Sequence, residues 1–296
     1  MKHLLSIAEL SAAQIAEILE LTARLKAARS RPQERSHQPL AGQTWALIFT
    51  KASTRTRVSF EVGVRELGGQ SVYLAGHEIQ MGRGETVADT ARALSRYCHG
   101  AVIRTFAQAD LVEFARWGSI PVINALTDDE HPCQILADLF TIREKRGGLA
   151  GKRVCFIGDG ACNVARSWIF AARKMGMDLR IAAPPEFQPA DATGIAVTAD
   201  IATAARDADV VYTDVWVSMG KEAEAADRIR ILQPYQINAT VLAHARPGAL
   251  VMHCLPAYRG KEITAEVLEA HQRDIFDQAE NRLHVQKAIL TLLARP

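Results

Sequence analysis

The sequence predicts an α/β fold of two domains, each a parallel β-sheet with helices on both faces, joined by bridging helices. Short apolar runs alternate along the chain with segments whose apolar residues recur at helical spacing. Strands that alternate with helices form parallel sheets covered on both faces. The 296 residues are too many for one typical α/β domain and are about right for two.

The first half of the chain contains four predicted strands. A helical pattern covers residues 7–28, with Ser11 as the N-cap for most of it, and a polar, proline-containing loop follows at 29–41. Residues 76–85 contain three glycines without apolar periodicity, which predicts a flexible loop. The remaining predicted elements are strands at Thr44–Phe49, Ser71–Leu74, Ala101–Ile103 and Val122–Ile123, helices at Val58–Leu67 and Thr86–Tyr97, and a helix between the last two strands.

The second half begins with a long helix at 133–146, which ends at Gly147-Gly148. We place the domain boundary inside this helix, so that 1–135 form the first domain and 136–279 the second. A C-terminal helix, at about 280–296, is expected to pack back on the first domain. The predicted strands are Val154–Ile157, Leu179–Ala182, Gly194–Val197, Val210–Thr213 and Leu250–His253, and the other helices lie near 163–175, 200–206 and 264–270.

Composition excludes several classes of partner. The formal net charge is only +2, from 35 basic and 33 acidic residues, so neither nucleic acid nor a membrane surface is expected. No apolar run reaches the ~18 residues of a membrane span, and the start of the chain lacks the apolar core of a signal peptide. The cysteines are odd in number, widely spaced and without a C-x-x-C pair: Cys98, Cys133, Cys155, Cys162 and Cys254. This pattern favours a reducing, cytoplasmic setting and no metal site.

The strongest chemical signal lies at residues 49–57, between a predicted buried strand and a helix N-terminus. Three hydroxyls and two guanidiniums crowd together there, on Ser53, Thr54, Arg55, Thr56 and Arg57. Free backbone N–H groups and the helix dipole favour an anion at such a place. An arginine can hold a phosphate through paired, charge-assisted hydrogen bonds, each worth about 1.5–3 kcal/mol. The alternative is a solvated basic turn capped by a serine; the position after a buried strand favours the phosphate site.

Three further motifs follow in order: His-Pro-Cys-Gln at 131–134, Asp-Val-Trp-Val-Ser-Met-Gly at 214–220 and His-Cys-Leu-Pro at 253–256. With the 53–57 segment and Ser59-Phe60-Glu61 after it, the chain resembles the aspartate and ornithine carbamoyltransferases, from about residue 3 to the last helix. The last two motifs resemble the ornithine branch. The resemblance implies transfer of the carbamoyl group of carbamoyl phosphate to the δ-amine of L-ornithine, giving citrulline and phosphate, as a step of arginine biosynthesis. It also implies a cytoplasmic homotrimer that needs no cofactor.

The resemblance assigns carbamoyl phosphate to one set of residues. Ser53, Thr54, Arg55 and Thr56 would hold the phosphate, and Arg104 would reach both phosphate and carbonyl. His131 would donate to the carbonyl oxygen and Gln134 would hold the carbamoyl NH₂. The residues that complete this set are Gln80, in a loop reaching a neighbouring subunit's site, together with Cys254, Leu255 and Arg282. Without the resemblance, His131-Pro132 could be a plain helix start, Gln80 a solvated loop residue, and Arg104 and Arg282 surface residues.

The second substrate must present a neutral amine, yet only about one alkylammonium in 2500 is neutral at pH 7. Asp214 and Cys254 follow predicted strands, where ligands of parallel sheets bind. The resemblance places both around the amino groups of ornithine, where a thiolate or carboxylate could take the proton. It adds Asn163, Ser218 and Met219 as ornithine-binding residues, and a cis bond at Leu255-Pro256. Taken alone, Cys254 would be an inert core thiol.

Two departures from the family pattern leave the amine open. Gly158-Asp159-Gly160-Ala161-Cys162-Asn163 has one asparagine and one extra residue where the family has adjacent asparagines. Tyr258 stands where the branch commonly has histidine. Putrescine, N-acetylornithine and N-succinylornithine therefore remain alternatives. Aspartate does not, because its branch lacks the Cys-Leu-Pro and Ser-Met-Gly signatures.

Two other kinds of protein compete with this interpretation. The strand and Gly-Asp-Gly turn at 154–160 loosely suggest a nucleotide-binding dehydrogenase, but the G-x-G-x-x-G pattern fails because residue 163 is asparagine. A non-catalytic homologue is disfavoured by the intact Arg55, Arg104, His131 and Cys254.

Overall fold

A computed structural model describes residues 1–30, 38–81 and 84–294. The chain divides into two compact units, Met1–Phe140 with Asn281–Pro296 and Thr141–Glu280. Two helices, α5 (Pro132–Arg146) and α11 (Gln272–Leu293), continue from one unit into the other. Most of the polar loop predicted at 29–41, and part of the loop predicted at 76–85, lie outside the described residues.

The first unit contains a four-stranded parallel sheet in the order β2-β1-β3-β4. Because the strand order reverses between β1 and β3, the loops that follow these two strands lie where open parallel sheets bind ligands. Its strands are β1 (Thr44–Phe49), β2 (Gln70–Ala75), β3 (Gly100–Arg104) and β4 (Val122–Leu126), and its remaining helices are α1 (Ala12–Arg29), α2 (Thr54–Glu66), α3 (Val87–Tyr97) and α4 (Gln108–Trp117).

The second unit contains a five-stranded parallel sheet in the order β7-β6-β5-β8-β9, which reverses between β5 and β8. Its strands are β5 (Arg153–Ile157), β6 (Asp178–Ala182), β7 (Ala196–Thr198), β8 (Val210–Thr213) and β9 (Leu250–His253). Its helices are α6 (Asn163–Met175), α7 (Ile201–Ala205), α8 (Ala225–Leu232), α9 (Ala239–Leu242) and α10 (Ala265–Ala270), with 3-10 turns at Pro185–Phe187, Glu222–Glu224 and Gln233–Tyr235.

The predicted fold class is confirmed. Strands β3, β8 and β9 are buried along their whole length, as expected for parallel strands covered on both faces. Strand register then determines which side chains meet at the sheet edge. Phe49 pairs with Arg104, and Thr213 pairs with His253, so the residues that follow these strands are neighbours.

The starts of α1 and α11 show where sequence signals did and did not predict a helix boundary. Helix α1 begins after Ser11, which caps it in a reciprocal pair with Gln14, as predicted. The prediction that the last helix begins near 280 is wrong: α11 begins at Gln272. The turns from 272 to 280 are largely polar, so apolar periodicity did not reveal them, although Ile275 and Gln278 are fully buried. None of the described helices has the length and apolar character to cross a bilayer.

Candidate active site

The N-terminus of α2 in the first unit is open to an anion. Ser53 occupies the N-cap position, but its side chain makes no capping hydrogen bond, which disfavours a merely capped turn. Thr54 and Arg55 are exposed, and Arg55 forms no ion pair with any other described residue. The first turn of α2 thus combines N–H groups that no side chain caps with an exposed guanidinium, where the sequence predicts a phosphate.

The second guanidinium of this segment is engaged elsewhere. Arg57 Nε donates to Glu61 Oε1 at 2.8 Å, and the Arg57 guanidinium stacks on the Tyr73 ring at 3.5 Å from its centroid. Arg57 is therefore held by Glu61 and Tyr73, and it is not among the residues that the resemblance assigns to the phosphate. Its i,i+4 spacing from Glu61 on one helix face was a signal for this pairing.

A buried cationic cluster, formed by Arg104, His131 and Arg282, lies in the same unit. These side chains are buried, and Arg282 Nη2 donates to the hydroxyl of Thr56, so α11 contacts the first turn of α2. Burial lowers the pKa of His131 well below its ordinary 6.5, and the charges of Arg282 and Arg104 lower it further. His131 is consequently a neutral imidazole, which carries one N–H to donate.

Gln134 presents an oriented carbonyl oxygen. His131 precedes α5, whose first residue is Pro132, and Gln134 lies within the first turn. Gln134 Nε2 donates to Asp138 Oδ1 at 2.8 Å. This hydrogen bond fixes the orientation of the amide, and the carbonyl oxygen Oε1 remains available as an acceptor. That buried Oε1 accepts no hydrogen bond from any described residue. A buried unpaired acceptor costs about 1–3 kcal/mol, so this oxygen suits an N–H donor supplied by a ligand.

Contacts among the β1, β3 and β4 loops support this site, and the sequence did not reveal them. The buried ammonium of Lys51 pairs with Asp128 and lies 4.1 Å from the centroid of the Phe106 ring. The backbone N–H of Thr50 donates to the carbonyl of Arg104 at 2.9 Å. These contacts hold the anion-binding turn, the Arg104 strand end and the His131 loop together.

Gln80 is exposed and makes no hydrogen bond to the other described residues, whereas Ile79 and Met81 on either side pack against the core of the same unit. The segment is thus anchored by two apolar side chains, with Gln80 held outward between them.

In the second unit, Asp214 and Cys254 meet at the ends of β8 and β9. The thiol of Cys254 donates to Asp214 Oδ1 at 2.8 Å, and the backbone N–H of Val215 donates to the same oxygen at 2.7 Å. Burial raises the pKa of Asp214, opposed by the nearby His253 and by these two hydrogen bonds. The arrangement places a proton acceptor and a thiol side by side in a buried setting.

The Cys254 loop is held by a buried pair that sequence reasoning missed, His253 and Glu262. His253 Nδ1 accepts from the Leu255 N–H at 2.8 Å, so the ring proton is on Nε2, which faces Glu262 Oε1 at 3.1 Å. The same carboxylate oxygen accepts from the Tyr258 N–H at 2.6 Å. Leu255 has a φ of 57°, and the bond to Pro256 is cis, as the resemblance implied.

Ligand-type atoms of Asp214, His253 and Cys254 all lie within 4.8 Å of one another. Both ring nitrogens of His253 are already engaged, by the Leu255 N–H and by Glu262. The trio therefore offers no free imidazole for a metal, and the absence of a metal site stays a prediction from the sequence.

The unusual turn after β5 is accommodated by a thiol cap. Cys162 is the N-cap of α6, and its sulfur accepts from the Ala165 N–H at 3.4 Å. Burial raises the pKa of this thiol well above its ordinary value, so it remains protonated. The extra residue leaves Asn163 as the first, half-buried residue of α6.

Arg228, on the unpredicted helix α8, connects this turn to the 214–220 loop. Its Nε donates to the carbonyl of Trp216 at 2.7 Å and its Nη2 to the buried carboxylate of Asp159, while the guanidinium stacks over Phe187. Farther along the 214–220 loop, Ser218 is half-buried and Met219 is exposed. A lone arginine in a polar stretch carries no sequence signature, which is why it was missed.

Comparison with known proteins agrees with these features. Residues 2–144 match the carbamoyl-phosphate-binding domain of aspartate/ornithine carbamoyltransferases, and residues 150–293 match the aspartate/ornithine-binding domain of the same family. The chain belongs to the aspartate/ornithine carbamoyltransferase family.

The relatives are similar over nearly the whole chain. Proteins named ornithine carbamoyltransferase from Akkermansia muciniphila and Syntrophus aciditrophicus are 51% and 50% identical, each over 99% of this chain and 98% and 99% of their own lengths. Among solved structures, the ornithine carbamoyltransferase of Pyrococcus furiosus is 44% identical, with a TM-score of 0.92, over 99% of this chain and 96% of that one. The anabolic ornithine carbamoyltransferase of Campylobacter jejuni is 38% identical, also with a TM-score of 0.92, over 99% of both chains.

Proposed function

We propose that this protein transfers the carbamoyl group of carbamoyl phosphate to the δ-amine of L-ornithine, producing L-citrulline and phosphate. The observation that carries the proposal is the buried hydrogen bond from the Cys254 thiol to Asp214. It brings a proton-accepting carboxylate and a thiol together, as a reaction with an amine requires. Relatives of about 50% identity carry the name ornithine carbamoyltransferase over the full length of the chain. The similar enzyme from Campylobacter jejuni is described as anabolic, which supports arginine biosynthesis as the pathway.

The first unit is proposed to bind carbamoyl phosphate. The open N-terminus of α2 receives the phosphate, through Ser53, Thr54, Arg55 and Thr56. Arg104 and Arg282 add two buried positive charges, and the neutral His131 donates its N–H to the carbonyl oxygen. Gln134 Oε1, which accepts no hydrogen bond from the described residues, is proposed to accept from the carbamoyl NH₂.

The second unit is proposed to bind ornithine. Asp214 accepts the α-ammonium, Asn163 donates through its side-chain NH₂ to the carboxylate, and the loop with Ser218 and Met219 covers the amino acid. Asp214 and Cys254 select the neutral δ-amine and receive the proton that it loses.

The proposed reaction balances without a cofactor. The δ-nitrogen attacks the carbonyl carbon, a C–N bond forms, and negative charge develops on the carbonyl oxygen beside His131 and Arg104. The bond from that carbon to the bridging oxygen then breaks, and phosphate leaves with the electron pair. The proton released by the amine is proposed to pass to the Asp214–Cys254 pair.

The test is citrulline formation measured by a colorimetric ureido assay on a panel of ornithine, putrescine, N-acetylornithine and N-succinylornithine. Ornithine is expected to be the best acceptor. Putrescine or an acylated ornithine as the best acceptor would replace the proposed substrate within the same family. No product with any amine would overturn the catalytic proposal and leave a binding homologue.

A homotrimer is proposed as the assembly, with Gln80 serving a neighbouring subunit's site. The outward position of Gln80, between Ile79 and Met81 anchored in the core, supports this role. Mixing Arg55→Ala and Gln80→Ala subunits should regenerate some intact sites in mixed assemblies. Full activity of an isolated monomer would contradict a shared site. Five free thiols, four of them buried, support a cytoplasmic location, which fractionation of cells would test.

A further inference from the structure

Gln278 is a fully buried polar residue on α11 whose role the reaction scheme above leaves open. Its Oε1 accepts the backbone N–H of His253 at 2.9 Å, and its Nε2 faces the hydroxyl of Tyr212 at 3.5 Å. His253 directly precedes Cys254, and Tyr212 lies two residues before Asp214. The Gln278 amide thus contacts both β8 and β9, the strands directly followed by Asp214 and Cys254.

The Gln278 amide gives the His253 N–H the acceptor that a neighbouring strand would otherwise provide. β9 is at the edge of its sheet, with β8 as its neighbour on one side. Backbone N–H groups on the outer side of an edge strand have no partner strand, and a buried one must be satisfied by something else. Gln278 supplies the acceptor at the last residue of β9, immediately before the thiol.

We propose that Gln278 is a positioning residue that keeps Cys254 and Asp214 in contact. This inference rests on the proposed function and deepens it. Gln278 touches no reacting atom; it acts through the backbone of His253. Loss of its acceptor should disturb the amine side of the reaction while leaving carbamoyl phosphate binding nearly intact.

The experiment compares three variants of the full-length protein. Gln278→Met removes the acceptor at similar volume, Gln278→Glu keeps an acceptor, and Gln286→Met is the matched control. Gln286 is also fully buried on α11, yet its amide has no hydrogen-bond partner among the described residues. We expect Gln278→Met to lower kcat with ornithine by about ten- to a hundredfold, with carbamoyl phosphate affinity changed less than about twofold. Gln278→Glu should retain most of the activity, and Gln286→Met should keep the wild-type kcat.

Hydrogen exchange gives a readout that needs no turnover. The peptide containing residues 250–255 should exchange faster in Gln278→Met than in wild type, and at the wild-type rate in Gln278→Glu and Gln286→Met. A wild-type kcat in Gln278→Met, or equal losses in Gln278→Met and Gln286→Met, would overturn the inference. If wild type fails to carbamoylate ornithine, the proposed function fails, whereas the exchange result still decides the positioning role.

Discussion

The thiol of Cys254 donates a hydrogen bond to Asp214 across a distance of 2.8 Å, although the two residues are 40 positions apart in sequence. The register of two parallel strands creates the contact, because Thr213 pairs with His253 and each functional residue follows its strand by one position. A shift of register by one residue would separate the two side chains. The chemistry of the site therefore depends on the alignment of β8 with β9.

Asp214→Asn tests the charge in this pair with almost no change in shape. The amide cannot balance an ammonium or take a proton, so kcat/KM for ornithine should fall by at least about 100-fold. Carbamoyl phosphate affinity, measured by calorimetry, should stay close to wild type. Activity within about threefold of wild type would remove Asp214 from the proposed mechanism.

Arg55→Ala tests the anion site at the α2 N-terminus. Loss of two charge-assisted hydrogen bonds should lower carbamoyl phosphate affinity at least ~100-fold, at ~1.4 kcal/mol per decade. Arg57→Ala is the matched control, because Arg57 is two residues away but engaged by Glu61 and Tyr73. Calorimetric titration should separate the two variants. Equal losses in both would mean that general positive charge, and not the placement of Arg55, binds the phosphate.

His131 should make folding stability depend on pH. Its pKa in the folded protein lies well below the ordinary 6.5, because burial and two arginines disfavour the charged imidazole. Between the folded-state pKa and 6.5, His131 binds more protons in the unfolded chain than in the folded protein. Its contribution to stability is therefore fully present above pH 6.5 and is lost as the pH falls. From pH 7.5 to 5.5 the free energy of unfolding should therefore fall through this group.

Urea denaturation of wild type and His131→Asn at these two pH values measures the difference. The asparagine variant has no titrating group at this position, so its loss between the two pH values should be smaller by about the amount expected from His131. The same loss in both proteins would show that other groups cause the acid sensitivity.

The sequence predicted those parts of the site that sit at strand ends in recognisable motifs. Asp214 and Cys254 are of this kind, because a short local pattern identifies both the side chain and its place after a strand. Gln278 and Arg228 could not be found in this way. Each acts through a contact with a residue distant in sequence, His253 or Asp159, and each lies in a polar helical stretch that apolar periodicity does not reveal. Arg57 lies two residues from Arg55, and its contacts with Glu61 and Tyr73 show that proximity in sequence says little about what a side chain binds.

Amine selectivity tests the least usual part of the second unit, the turn from Gly158 to Asn163. Ornithine carries an α-ammonium and a carboxylate, whereas putrescine has neither and N-acetylornithine has lost the α-charge. A buried Asp214 carboxylate left without a cation costs several kcal/mol, so kcat/KM for ornithine should exceed that for either analogue by at least about 100-fold.

Asn163→Ala should raise the KM for ornithine and leave carbamoyl phosphate affinity nearly unchanged, because Asn163 is proposed to donate only to the amino-acid carboxylate. Cys162→Ser is the matched control, since serine preserves the helix cap one residue earlier and should keep the wild-type KM. Steady-state kinetics with each amine separates these cases. If Asn163→Ala keeps the wild-type KM for ornithine, the extra residue in the turn has moved the carboxylate contact to another donor. If an acylated ornithine proves the better substrate for wild type, the α-ammonium is not what Asp214 recognises, and the buried carboxylate must serve the reacting amine alone.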